Sequence, residues 1–130
     1  MNPGNVNKRI LLIDHQLYWR EISTNALREA GFTVDMLETY HDLPSRECVE
    51  GEKPELVLLG CKRIGTDEQQ LIDEVLNQKQ HLLVLCTSLP RQTMRTLFLK
   101  GVDDILDKPY NPAKLVNIVC EALGIFSPAI

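Results

Sequence analysis

Leu56-Val57-Leu58-Leu59-Gly60-Cys61-Lys62-Arg63 is an aliphatic run that stops at a glycine and then turns basic. Consecutive large aliphatics suit a strand buried on both faces, as in a parallel sheet covered by helices. Two further runs have the same continuous character, Ile10-Leu11-Leu12-Ile13 and Leu82-Leu83-Val84-Leu85-Cys86. Thr33-Val34-Asp35-Met36-Leu37 alternates instead, with Val34 and Met36 on one side, which suits an edge strand. Asp104-Ile105-Leu106 is a short fifth candidate.

Helical patterns separate these runs. Between Gln16 and Ala30, apolar residues recur at helical spacing, and Gly31 ends the pattern. Pro44 to Glu50 is a poor, short candidate. Thr66 to Gln80 carries Leu71, Ile72, Val75 and Leu76 on one face, and Arg91 to Lys100 is closed by Gly101. Asn111-Pro112 is a start signal, with Asn as N-cap and Pro at the first helical position, for a helix running to about Leu123. Strands alternating with helices imply an α/β fold: a doubly wound parallel sheet with right-handed crossovers and helices on both faces. Such sheets bind ligands outside the carboxyl ends of their strands. The residues to watch therefore follow each run: Asp14-His15, Gly60-Cys61, Thr87-Ser88 and Asp107-Lys108-Pro109.

The chain has 130 residues, which suits one domain, and its charged fraction of 25% is ordinary for a globular protein. Net charge is −4 and no Lys/Arg cluster offers a phosphate-tracking surface, so direct nucleic-acid binding is not expected. Residues 1–7 lack the apolar stretch of a signal peptide, and no run reaches transmembrane length. A cytoplasmic protein without membrane contact is expected. Cys48, Cys61, Cys86 and Cys120 form no CxxC pair and read as reduced, small core hydrophobes. The loop after the first run, Asp14-His15-Gln16-Leu17-Tyr18, has no glycine, and its acid repels phosphate. With no GxGxxG or GxxxxGK[ST] elsewhere, a flavin or dinucleotide site is not expected.

From about Lys8 to Gly124 the chain resembles the receiver domain of bacterial two-component response regulators. The resemblance rests on "ILLID", "EKPELVLL", "VLCTS" and above all "GVDDILDKPYNPAKL", in the family's order and spacing. It implies a flavodoxin-like, five-stranded parallel sheet of order 2-1-3-4-5. The resemblance covers about 8–124 of a single receiver-like domain expected over residues 1–130, with polar or flexible ends at 1–7 and 125–130; this length leaves no room for a DNA-binding output domain, whether the chain stands alone or is part of a longer regulator.

The resemblance assigns roles position by position. Two acidic residues follow the first strand in the family; the first matches Asp14, and the second, a Mg²⁺ ligand, falls on His15. The phosphoryl-accepting Asp falls on Gly60. The switch hydroxyl falls on Thr87, the aromatic switch residue on Ile105, and the lysine that pairs with phosphoryl oxygens on Lys108, followed by Pro109. The loop residue that is usually proline falls on Ile64. Phosphoryl transfer to a receiver needs a carboxylate nucleophile and a metal that neutralises phosphoryl charge. Glycine has no side chain to phosphorylate, and Mg²⁺ wants hard oxygen ligands. A degenerate receiver is therefore expected, with Gly60 as a phosphoacceptor position that cannot accept, Mg²⁺ binding lost and no cofactor.

Lys108 is read as the partner of Asp14 rather than a phosphate sensor, and Thr87 as a strand-end hydroxyl bonded to nearby backbone. Asp14, His15 and Cys61 form a candidate relict pocket. Imidazole, thiolate and carboxylate together suit Zn²⁺ better than Mg²⁺, but without a zinc signature or a fourth ligand. No enzymatic role is expected, because nothing supplies a nucleophile with a base. The leading expectation is a signalling module that acts through a protein partner or output domain. In the family the fourth helix, fifth strand and fifth helix form the dimerisation and output face; here these match Arg91 to Lys100, Asp103 to Asp107 and Asn111 to Leu123. Leu115, Val116, Val119 and Leu123 are candidate contact residues for a partner or homodimer, against the alternative that they pack on the sheet. A second hypothesis is a small-ligand or metal-sensing domain that uses Asp14, His15, Gly60 and Lys108.

Overall fold

The computed structural model describes residues 8–39 and 53–125. The short helix suggested at Pro44 to Glu50, together with Cys48, lies outside the described residues. Strands β1 (Arg9–Asp14), β2 (Thr33–Leu37), β3 (Leu56–Cys61), β4 (His81–Cys86) and β5 (Asp104–Asp107) form one parallel sheet of order β2-β1-β3-β4-β5. The described helices are α1 (Leu17–Glu29), α2 (Thr66–Asn77), α3 (Arg91–Lys100) and α4 (Pro112–Leu123).

The continuous aliphatic runs became the central strands. Every residue of β3 is buried, and so is all of β1 beyond Arg9. Their alternation divides the core in two. Ile10, Leu12, Leu56 and Leu58 point to the side where α1 and α4 pack, with Leu27, Leu115, Val116 and Val119. Leu11, Ile13, Val57, Leu59 and Cys61 point the other way, toward Leu71, Ile72 and Val75 of α2 and Leu97 of α3. Burying each of these aliphatics contributes about 1.5–3 kcal/mol relative to exposure, which is what holds the helices to the sheet.

The helix ends follow local chemistry. Asn111 caps α4, its side-chain oxygen accepting from the Ala113 N–H at 2.8 Å, with Pro112 as the first helical residue. Gly101 and Gly124 end α3 and α4 in the left-handed conformation that glycine adopts at little cost. The edge position of β2 agrees with its alternating pattern, although Met36 is exposed while Val34 is buried. Leu37, the next residue, is buried on the opposite face, so the exposure is confined to Met36 and does not extend over the end of the strand.

One expectation is corrected. Leu115, Val116 and Val119 are core residues rather than a free contact surface, being 0%, 6% and 0% exposed, and Leu123 packs half-buried against the same cluster. The reason is that α4 lies on the sheet beside α1, so its broad apolar stripe is consumed inside the protein. The large apolar side chains left exposed by the described helices are instead Leu17 and Tyr18 on α1 and Phe98 and Leu99 on α3.

Candidate functional site

The carboxyl ends of β1, β3, β4 and β5 bring Asp14, Gly60, Cys86 and Lys108 to one edge of the sheet. Asp14 and Gly60 are register partners on adjacent strands, and so are Cys61 and Cys86. The loops beyond are tied together by the backbone. Thr87 donates to the Cys61 carbonyl at 3.2 Å, Ser88 to that of Lys62 at 2.9 Å, and Lys108 to that of Cys86 at 3.1 Å.

Asp14 is fully buried. Its Oδ2 accepts from Lys108 Nζ at 2.8 Å, and its Oδ1 accepts from the Gln16 N–H at 2.9 Å. Lys108 Nζ also donates to Gln16 Oε1 at 2.7 Å and lies 5.9 Å from the centre of the Trp19 ring. Arg20 donates to the Asp14 carbonyl at 2.8 Å. A buried charge must be paired and hydrogen-bonded to be tolerated, and both members of this pair meet that condition. Tyr110 adds a neighbouring polar contact, sharing a 2.6 Å hydrogen bond with Ser23. Burial, partly opposed by that bond, pushes the Tyr110 hydroxyl up to about 12.

Gly60 owes its identity to space. A Cβ at this position would lie 2.5 Å from Asp14 Cγ and 3.0 Å from Asp14 Cβ, and nearer still to Oδ2. The Asp14 carboxylate is folded over the glycine, in the volume that a side chain at 60 would need. Sequence inspection treated Gly60 as the loss of a group; the structure adds that a neighbouring carboxylate fills the vacancy.

The proposed grouping of Asp14, His15 and Cys61 does not form. Asp14 points to the α1/α4 side, whereas Cys61, one residue beyond Gly60, points to the α2/α3 side and is 5% exposed. His15 is exposed. Strand alternation, which sends successive side chains to opposite faces, separates what chain proximity had suggested. Among the described residues no cluster of three or more His, Cys, Asp or Glu could hold a metal ion. Likewise Asp14 and Lys108 do not line the nearby cleft of about 370 Å³, whose walls include His15, Gly60, Cys61 and Lys62. Thr87 is exposed, and Ile105 packs half-buried against the α2/α3 core. Ile64 packs there too.

Gln16 was missed in the sequence, although it bridges both members of the ion pair. Its signal was available: an Asp two residues upstream of a backbone N–H is the pattern of an Asx turn. Cys86 was also undervalued, and only the β3–β4 register reveals its neighbour.

This sheet order, with helices on both faces, defines the flavodoxin-like fold of CheY-like response-regulator receiver domains. The chain superimposes on the response regulator receiver protein from Burkholderia phymatum with a TM-score of 0.80 at 18% identity, covering 93% of this chain and 98% of that one. It matches the response regulator DrrB, a Thermotoga maritima OmpR/PhoB homolog, with a TM-score of 0.75 at 18% identity, covering 90% of this chain and 52% of that one. In sequence it is 27% identical over 115 residues to the phosphate regulon transcriptional regulatory protein PhoB of Pseudomonas aeruginosa. That alignment takes in 85% of this chain and 49% of PhoB, so the chain spans about half the length of this curated relative. No protein-family model matches the chain.

Proposed function

We propose that this chain is a signalling module of the two-component receiver type that works without aspartyl phosphorylation, through contact with a protein partner or output domain. One observation carries the reading: where a receiver holds its acceptor carboxylate, this chain has Gly60, and Asp14 fills the space and is paired with Lys108. The lysine that would meet a phosphoryl group is thereby occupied.

The donor set does not fit Mg²⁺. The ion takes hard oxygen ligands in near-octahedral geometry. Here the adjacent acidic position is His15, the acceptor position has no side chain, and each Asp14 oxygen already accepts a hydrogen bond. Among the described residues no helix is long and apolar enough to cross a membrane. The exposed Phe98 and Leu99 of α3 are better candidates for partner contact than the buried stripe of α4.

The test combines labelling with a thermal melt. Acetyl phosphate should leave the mass of the intact protein unchanged, and Mg²⁺ with beryllofluoride should leave its melting temperature unchanged. A working site at a hundred times Kd would add about 2.7 kcal/mol. An acid-labile acyl phosphate, or a clear upward shift, would overturn the proposal.

A further inference from the structure

We propose that Cys61 and Cys86 are a reversible dithiol–disulfide site, oxidised by hydrogen peroxide, that locks the carboxyl ends of β3 and β4 together. The two residues are register partners on adjacent parallel strands. Neighbouring strands lie about 4.8 Å apart, and disulfides span Cα separations of about 4.4–6.8 Å. Both side chains belong to the α2/α3 core cluster, so both point to the same side of the sheet. Cys86 Sγ also lies 3.4 Å from the carbonyls of Lys62 and Ser88, one on each of the loops that a disulfide would join. Cys61 forms part of the wall of the 370 Å³ cleft, which brings a water-sized oxidant up to the Cys61 end of the pair, while Cys86 lies fully buried behind it. The remaining described cysteine, Cys120, lies in the other core cluster, across the sheet.

The two thiols are unequal. The neighbouring Cys86 thiol, together with burial, pushes the Cys61 thiol strongly up. Cys61 in turn draws Cys86 down to about 7, with the Ser88 backbone and the Lys108 charge helping and burial opposing. The pair therefore has one readily lost proton. The sulfur that meets the oxidant attacks one peroxide oxygen as thiolate; an S–O bond forms, the O–O bond breaks, and hydroxide leaves and takes up a proton as water. The second sulfur then attacks the sulfenic acid. The S–S bond forms, the S–O bond breaks, and the hydroxyl departs with the remaining thiol proton as a second water. Two thiols lose two electrons and one peroxide gains them. At rest in a reducing compartment the pair stays a dithiol.

The experiment uses the full chain carrying Cys48→Ser. After peroxide treatment and non-reducing peptide mapping, a Cys61–Cys86 cross-linked peptide is expected, reversed by dithiothreitol, and the oxidised protein should melt at a higher temperature than the reduced one. Cys86→Ala and Cys61→Ala, each checked for folding by circular dichroism, should both abolish the cross-link. The proposal is overturned by the absence of a cross-linked peptide, by sulfinic acid on either cysteine without a bridge, by a bridge to Cys120, or by an unchanged melting temperature on oxidation.

Discussion

Gly60 and Cys61 are neighbours in the chain, yet they serve two regions with different physics. Gly60 faces the α1/α4 side, where a buried ion pair, a bridging glutamine and a tyrosine–serine hydrogen bond sit against aliphatic packing. Cys61 faces the α2/α3 side, where it joins an apolar cluster and its register neighbour is another thiol. The first region is expensive to disturb because each charge depends on the other for compensation. The second is soft, because a thiol tolerates loss of a weak hydrogen bond. The sheet separates the packing of the two regions, while the Lys108 charge is still felt by both thiols.

The largest expected effect comes from breaking the ion pair on the first side. Lys108→Met leaves Asp14 buried without its cation, and should cost about 3–5 kcal/mol by chemical denaturation. A loss under about 1 kcal/mol, the range of an exposed pair, would place the two regions on the same footing. Next, Gly60→Ala forces a methyl group into the Asp14 carboxylate and should cost about 1–3 kcal/mol. Much of that cost should vanish in an Asp14→Ala background, because the obstructing atoms are gone; equal cost in both backgrounds would show that space is not what demands glycine.

Tyr110 sharpens the polar side further. Its hydroxyl titrates near 12 when folded against 10 when unfolded. Folding therefore favours the protonated form, and that contribution is complete below the unfolded value and declines as pH rises through the folded one. Stability should fall between those two values, and Tyr110→Phe should flatten the fall while losing about 1 kcal/mol at neutral pH through the widowed Ser23 hydroxyl. On the softer side, Cys86→Ala should cost about 1 kcal/mol and add to Gly60→Ala within about 0.5 kcal/mol. Marked non-additivity in the double variant would mean that the sheet does not insulate its two faces.

Much of this architecture was legible before any coordinates. Continuous aliphatic runs gave the buried parallel strands, and Asn111-Pro112 marked the start of α4 to the residue. The Lys108–Asp14 pairing was reached through the receiver resemblance, which put both residues at one site and, with the acceptor gone, left the lysine no other partner than the acid. What failed were statements about direction. Asp14 and Cys61 looked like companions because their loops are neighbours, but the period of two sends them to opposite faces. Leu115, Val116 and Val119 looked surplus to the core because a linear pattern cannot say how broadly a helix lies on its sheet. The filling of position 60 by Asp14 was out of reach too, since a rotamer choice leaves no trace in residue order.

The Asp14–Lys108 bond joins residues 94 positions apart in the chain. A nascent polypeptide emerging from the ribosome thus exposes its interior acid long before the matching base has been made. Until then β1 and β3 cannot settle around that carboxylate without leaving a bare charge indoors. Final consolidation of this half must therefore wait for Lys108 and the helix after it, whereas the thiol-bearing half has all its core residues once Val102 and Ile105 have been made.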